Sequence, residues 1–402
     1  MTILFFSAQY LPTVGGVERY TWNLALRTVR AGHRAVVVTS ALPGLLDRET
    51  DPDGIEIIRL PVWPVMKGRF PVVRPAGAAA LERAMEERKP DFCVIQTRTY
   101  TQSILAALAA RRHGVPAIVI DHSTGYMPVG GGLVGLAGRV YEQTVCRLIR
   151  AAGHPFYGVS AAVCRWLRSF GITAAGCLPN AVDPAALDAE AGQDPLDWRA
   201  ALGLAPSTRL VAFVGRLIPE KGAAALAEAA AALPGTALVA LGTGPEEDRL
   251  RAAGAHVPGA VSHARVVQLL RQADCYCLPT RYAEGFPTTL LEAAACGCPI
   301  VCTPTAGTEE LLPGPEYGTL LADTRPETIR AALQNVLDDP AAARRRAAAL
   351  FRQQPRMEIA VAFTGQKGVD GVPHILFADL GRAGKMQLRQ LFDKVFLYGG
   401  IR

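Results

Sequence analysis

Short apolar runs rich in β-branched residues alternate along this chain with Ala-, Leu- and Arg-rich stretches of helical pattern. No other feature constrains the fold as strongly. In the first half the strand-like runs are residues 2–7, 34–40, 55–60, 92–97, 117–120 and 156–160, with helical patterns at 18–31, 76–88 and 102–113 between them. In the second half they are 210–215, 237–241, 275–279, 300–303 and 318–321. These strands are apolar throughout instead of alternating apolar and polar. Parallel sheets covered by helices on both faces read this way.

The rhythm breaks once. Pro179-Asn180-Ala181-Val182-Asp183-Pro184 closes one unit, a polar and acid-richer stretch runs to Pro206, and a new strand begins at Leu210. The expected organisation is a first domain over 1–183, a linker over 184–206 and a second domain over 207–354. Two doubly wound α/β domains then face each other across a hinge, with ligands at the carboxyl ends of the strands. Residues 355–402 differ in style. Three of the six lysines fall there, and the pattern predicts strands at 357–363 and 374–378 and an amphipathic helix over 385–398.

Half the residues are apolar, enough for two large cores. No apolar run approaches the roughly 20 residues that span a bilayer. Residues 2–7 resemble a short secretion signal but lack a basic leader, and a buried first strand is the expectation. Nine cysteines occur without a disulfide or C-x-x-C pattern, as expected of reduced core residues in a cytoplasmic protein. The net charge of +6 is uneven: residues 1–180 carry 20 Lys/Arg against 12 Asp/Glu, and 101–180 carry seven Arg against two acids. A basic half implies an acidic partner, such as an anionic membrane surface or a phosphorylated substrate. The arginines are dispersed and no nucleic-acid motif accompanies them, so nucleic acid is not expected.

Three segments carry chemistry. In Glu284-Gly285-Phe286-Pro287-Thr288-Thr289-Leu290-Leu291-Glu292 a loop after a strand runs into a helix start. Free N–H groups there suit a diphosphate, and Glu292, a turn into the helix, can accept from both hydroxyls of a ribose. A capping loop with two solvated acids fits the same pattern. In Val214-Gly215-Arg216-Leu217-Ile218-Pro219-Glu220-Lys221-Gly222, Arg216 and Lys221 can converge on a phosphate. Pro12-Thr13-Val14-Gly15-Gly16 lets backbone approach a ligand closely. His122, after the strand at 117–120, is a candidate for a sugar hydroxyl. Asp51-Pro52-Asp53-Gly54 spells D-x-D but reads as an exposed turn, and no metal site is expected.

Taken together these segments resemble glycosyltransferase family 4. The shared pattern is the Gly-Gly loop, then G-R-x-x-x-x-K-G at 215–222, then E-G-F-P through Glu292-Ala293-Ala294-Ala295-Cys296-Gly297. Pro179-Asn180-Ala181-Val182-Asp183, Gly158-Val159-Ser160 and Ala273-Asp274 also fit. The likeness covers about residues 1–350 and stops at the tail, which reads as an unusual appendage, a fused segment or an altered reading frame.

The resemblance implies a GT-B fold, two facing Rossmann-like domains, and retaining, metal-independent sugar transfer without a cofactor. The donor would be a UDP-, GDP- or ADP-sugar and the acceptor a glycan or lipid-linked molecule, on the inner face of the cytoplasmic membrane if peripheral. Arg216 and Lys221 would bind the diphosphate and Glu292 the ribose. Glu284 and the backbone of Gly285, Phe286 and Thr288 would hold the sugar, with Pro287 shaping the loop and Thr289 among the donor-binding residues. Gly15, Gly16 and His122 would face that sugar from the first domain. The base would lie near Val257–Val261, held largely by main chain. A nucleotide-sugar epimerase or a non-catalytic binding protein of the same fold are the alternatives.

Overall fold

A computed structural model describes residues 1–13, 15–66, 68–127, 132–305, 307–353, 359–367 and 373–379. The N-terminal unit begins with β1 (Thr2–Phe6), α1 (Gly16–Arg30), β2 (Arg34–Ser40), β3 (Arg48–Thr50) and β4 (Glu56–Leu60). A hairpin of β5 (Val62–Val65) and β6 (Phe70–Val73) follows, then α2 (Pro75–Arg88), β7 (Phe92–Gln96), α3 (Thr101–Arg112) and β8 (Ala117–Asp121). The long α4 (Gly132–Ala151) precedes β9 (Phe156–Gly158), α5 (Ala161–Leu167) and β10 (Gly176–Cys177).

Helices α6 (Pro184–Gly192) and α7 (Trp198–Ala201) lead to the second unit. It runs β11 (Arg209–Val214), α8 (Ala223–Ala231), β12 (Thr236–Leu241), α9 (Glu247–Ala252), β13 (His256–Gly259) and α10 (His263–Gln272). It continues with β14 (Cys275–Leu278), α11 (Thr288–Ala295), β15 (Ile300–Cys302), α12 (Thr308–Leu311), β16 (Thr319–Leu320), α13 (Pro326–Asp338) and α14 (Pro340–Gln353). An antiparallel pair, β17 (Ile359–Lys367) and β18 (Pro373–Asp379), ends the described chain. The helix expected over 385–398 lies outside the described residues.

The first sheet has eight strands in the order β10-β9-β8-β7-β1-β2-β4-β3, parallel except for β3. Its two faces explain the unbroken apolar strands. Leu4, Phe6, Val36 and Val38 point into one core, while Ile3, Phe5, Ala35 and Val37 point into the other. Successive side chains alternate between faces, and both faces are dry. Each buried Leu, Val or Phe stabilises the fold by roughly 1.5–3 kcal/mol. Residues 2–6 are the central strand of this sheet, paired on both sides. The second sheet, β13-β12-β11-β14-β15-β16, is parallel throughout over a single core cluster. The Ala-rich run of α8 lets that helix lie close against the sheet, with Ala223, Ala227, Ala229 and Ala230 buried.

In each sheet the strand order reverses beside the first strand, between β1 and β7 and between β11 and β14. Ligands of open α/β sheets lie at this switch point, beyond the carboxyl ends of the strands. All nine cysteines are free. One pairing was not legible in the sequence: the sulfurs of Cys164 and Cys177 lie 3.3 Å apart. No helix among the described residues is long and apolar enough to cross a membrane.

Candidate active site

The loops leaving β1 and β8 meet those leaving β11 and β14 at the domain boundary. Gly15 caps α1 in extended conformation, and α1 starts at Gly16. A Cβ on Gly16 would stand 3.5 Å from Thr288 Oγ1, the first residue of α11. Two helix starts thus face each other across the boundary, and neither has a side-chain cap. Uncapped N–H groups at such ends favour an anion.

The loop from Glu284 to Thr288 is held largely by the opposite domain. Ser123 and Glu284 form an isolated β-bridge, and Thr124 Oγ1 donates to the Glu284 carbonyl at 3.3 Å. Ser160 Oγ donates to the Gly285 carbonyl at 2.7 Å. Asn180 Nδ2 donates to the Phe286 carbonyl at 2.8 Å and lies 3.2 Å from Thr288 Oγ1. Gly285 is required by contact, because a Cβ there would come within 2.0 Å of the His122 carbonyl oxygen. Ser160 and Asn180 belong to the quoted motifs at 158–160 and 179–183, which carried no role in the sequence. Their role is to grip this loop.

Lys221 is the last residue of a one-turn 3-10 helix, Pro219–Lys221, and precedes Gly222, which has φ of 73°. A Cβ on Gly222 would reach 2.1 Å from the Pro279 carbonyl oxygen, so a side chain is excluded twice over. This glycine lets the β11 exit loop approach β14 and brings Lys221 into an ion pair with Glu284. Both side chains are mostly buried, and Thr280 Oγ1 donates to the same carboxylate at 3.4 Å. Arg216 is exposed beside them, its guanidinium 5.3 Å from the Tyr282 ring centroid, with the Lys221 ammonium 5.4 Å from the same ring.

Tyr276 OH donates to Thr289 Oγ1 at 2.7 Å, fixing the second residue of α11. Glu292, on that helix, is 5 % exposed and bonds His263 Nε2 at 3.0 Å. Val257 lies within β13, its side chain against the core and its carbonyl accepting from Arg251 at 3.0 Å. The carboxyl end of that strand comes two residues later, at Gly259.

On the N-terminal side, His122 Nε2 bonds Gln96 Oε1 at 2.7 Å, and its ring packs edge-on to Tyr20. Desolvation pushes its pKa down to about 3. The ring is therefore neutral at physiological pH, and with Nε2–H donating to Gln96 the Nδ1 lone pair is left to accept. Beneath it lies a wholly buried cluster of Arg98, Asp121 and Glu142. Arg98 Nη2 donates to Glu142 at 3.1 Å and Arg98 Nε lies 3.6 Å from Asp121. Glu142 accepts in turn from the Met127 N–H at 2.6 Å, tying α4 to the segment that follows His122.

Sequence reasoning also passed over Glu18. It is buried at the start of α1, beside Gly15. Burial raises its pKa, its own backbone N–H and Arg216 opposing. Only its place directly after the Gly pair could have drawn attention to it.

Asp51 Oδ1 accepts from the Asp53 and Ile55 N–H groups at 3.0 and 2.8 Å, so the D-x-D segment is a turn leading into β4. Among the described residues no group of three or more His, Cys, Asp or Glu side chains is placed to hold a metal ion.

Two family models match in tandem, Glycosyltransferase Family 4 over residues 14–186 and Glycosyl transferases group 1 over 195–352. The chain belongs to glycosyltransferase family 4. Glycogen synthase of Mycobacterium tuberculosis is 28% identical over 387 residues, covering 87% of this chain and 89% of the relative. D-inositol 3-phosphate glycosyltransferase of Rhodococcus opacus is 25% identical over 398 residues, covering 89% of this chain and 84% of the relative. Among solved structures, Anabaena HepE in complex with UDP-glucose superposes with a TM-score of 0.66 at 19% identity, covering 88% of this chain and 94% of that one. That likeness is one of fold, and the architecture of this glycosyltransferase is GT-B.

Proposed function

We propose that this family 4 glycosyltransferase moves a hexose-type sugar from a nucleotide-sugar donor to a lipid-linked or envelope-glycan acceptor, with retention at the anomeric carbon and without a metal. The observation that carries the reading is one convergence. Arg216, Lys221 and the uncapped start of α11 meet at the switch point of the second sheet, with Glu292 one turn along the helix and His122 opposite. A diphosphate would take Lys221 from Glu284, freeing that carboxylate to accept from sugar hydroxyls. The donor's C1–O bond breaks as charge develops on the leaving diphosphate, where Arg216, Lys221 and the helix N–H groups stabilise it. That same diphosphate takes the proton of the acceptor hydroxyl as it attacks from the same face. HepE is solved with UDP-glucose, which supports a nucleotide-sugar donor.

The acceptor side supports a lipid surface. The first half of α4 is exposed and apolar: Leu133 is 84 %, Val134 62 %, and Leu136 and Val140 each 58 % exposed. Nearby, Phe70 of the β5–β6 hairpin packs edge-on to Tyr141 of α4, and that hairpin exposes Trp63, Val65 and Met66. Arg69 and Arg74 beside the hairpin and Arg139 and Arg147 on α4 are exposed and make no ion pair among the described residues, and the Arg74 guanidinium lies 5.6 Å from the Trp63 ring centroid. An apolar surface with a basic rim suits an anionic bilayer. In the sequence of α4, Arg139, Gln143 and Arg150 recur at near-helical spacing with Val145, Leu148 and Ile149 on another face, which could lie on lipid or pack on the sheet. Val145 and Ile149 are core residues, and the exposed apolar residues lie one to three turns earlier. Arg150 bonds the Gly171 carbonyl and Gln143 the Tyr126 hydroxyl, so neither belongs to a free face.

The test is incubation with labelled UDP-, GDP- and ADP-hexoses and extracted membrane lipids, with and without EDTA. A glycosylated lipid of unchanged anomeric configuration, formed equally with chelator, is expected. An epimerised sugar without transfer identifies an epimerase, and unchanged bound donor a binding protein. An inverted product overturns retention. Loss with EDTA that Mn²⁺ restores overturns metal independence.

A further inference from the structure

A chain of four charged side chains crosses the domain boundary behind the proposed ribose contact. Arg19 lies on the first turn of α1, Glu190 near the end of α6, His263 at the start of α10 and Glu292 on α11. Arg19 Nη2 donates to Glu190 Oε1 at 2.6 Å. His263 Nδ1 bonds the other oxygen of Glu190, and His263 Nε2 bonds Glu292 Oε1 at 3.0 Å. The side chains of Arg19, Glu190 and His263 are 22–24% exposed and that of Glu292 only 7%.

Carboxylates only accept hydrogen bonds, so a ring held by one at each nitrogen carries both protons. The charged groups facing His263 are Arg19 from α1, Glu190 from α6 and Glu292 from α11. Arg19 Nη2 lies 3.0 Å from His263 Nδ1, so the two cations share Glu190. Arg19 also stacks 4.3 Å from the centre of the Trp22 ring, which fixes it to its own helix.

We propose that His263 is a positioning residue for the donor's ribose, fixing the plane of the Glu292 carboxylate and tying it through Glu190 to Arg19 of the N-terminal domain. The inference rests on the nucleotide-sugar reading above. Glu292 Oε1 is taken by His263, while Oε2 has no hydrogen-bond partner among the described residues. A carboxylate held by one oxygen presents the other in a set direction, which a pair of vicinal hydroxyls requires. Arg19 touches no part of the proposed donor site, yet its bond to Glu190 completes the chain that holds His263. Ribose recognition in the second domain thereby becomes coupled to the position of the first.

The experiment compares calorimetric affinities of the full chain for UDP, GDP and ADP with those for their 2′,3′-dideoxy counterparts. The ratio within each pair measures ribose recognition and cancels changes common to both ligands. Glu292→Ala should bring the ratio near one. His263→Ala should lower it by about tenfold, the loss of one charge-assisted hydrogen bond. His263→Gln, which keeps a donor, should recover part of it. Arg19→Ala should lower it by a few-fold, with circular dichroism unchanged. A wild-type ratio in both His263 variants overturns the proposal when Glu292→Ala has lost its preference. A wild-type ratio in Arg19→Ala overturns the coupling between domains. If Glu292→Ala also keeps its preference, or no nucleotide binds the wild type, the ribose reading has failed and this inference with it.

Discussion

Arg216 and Lys221 are cations of different standing. Arg216 is exposed over Tyr282, whereas Lys221 is mostly buried and paired with Glu284. Removing Lys221 therefore leaves a buried carboxylate without its partner, and Lys221→Ala should lose stability as well as rate. Arg216→Ala should keep its melting temperature. Each should lose on the order of 10²–10³ in turnover, the typical cost of one charge-stabilising contact. Near-normal turnover in both would remove the diphosphate assignment. Glu18 supplies the contrast. The proposed same-face attack needs no carboxylate nucleophile, so Glu18→Gln should keep turnover within about tenfold, far short of the loss from an oxyanion contact. A glycosyl adduct on Glu18 in the wild type, with no turnover in the variant, would point to double displacement. His263 adds a pH dependence. Burial lowers its pKa, but bonds to Glu190 and Glu292 outweigh this and lift it to about 9. A pKa raised on folding contributes stability that is whole below the unfolded value of roughly 6.5 and is lost as pH rises through the folded one. The stability advantage of wild type over His263→Gln, measured by urea denaturation, should shrink between these limits. A constant advantage would mean the ring is not charged.

At the scale of elements, α4 does two jobs along its length. Its second half presents Val145, Cys146 and Ile149 to the core and Glu142 to Arg98. Its first half presents Leu133, Val134, Leu136 and Val140 outward. The sequence showed an amphipathic helix with Val145, Leu148 and Ile149 on its apolar face but left open whether that face meets lipid or the sheet, because periodicity alone cannot separate the two. The hairpin that adds Trp63 was missed, since Val62–Val65 and Phe70–Val73 each hold a proline, which argues against a strand. The inner strands of the two large sheets were legible because burial on both faces removes the need for polar alternation, whereas the edge strands β3, β10 and β13 carry no such apolar run and were missed. If the α4–hairpin surface docks on lipid, Arg139→Glu with Arg147→Glu should weaken binding to phosphatidylglycerol vesicles at least tenfold, at about 1 kcal/mol per basic residue. Leu133→Ser with Leu136→Ser should weaken it without changing salt sensitivity. Activity on a short soluble acceptor should survive in both, since neither pair reaches the residues proposed to bind the donor. Wild-type protein that fails to co-sediment with these vesicles at low salt would defeat the membrane proposal.

At the scale of the whole molecule, the residues proposed to bind the donor were singled out in the sequence and the residues that hold them in place were not. Arg216, Lys221, Glu284 and Glu292 stand in loops and at a helix start, where residue type and spacing carry the chemistry. Ser160, Asn180, His263 and Glu310 act across the boundary, at sequence separations no local pattern reports. Glu310 of α12 accepts from the Ala161 and Ala162 N–H groups at 2.9 and 2.6 Å, so one domain caps a helix of the other. The loop gripped by Ser160 and Asn180 is also the proposed donor loop. Donor contacts and domain contacts therefore share one segment. Ligand bound in the second domain should stabilise the first as well, and the chain should melt in a single transition that the donor moves as a whole. At 100 times its dissociation constant a donor adds about 2.7 kcal/mol, a shift of a few degrees for a chain this size. The measurement is a melt followed both by far-ultraviolet circular dichroism and by hydrogen exchange of β1 and β12, one strand from each sheet. With the matching nucleotide sugar both strands should gain protection together. Protection confined to β12 would mean that the domains respond independently, and the shared loop would then be a structural contact without a part in donor-driven closure.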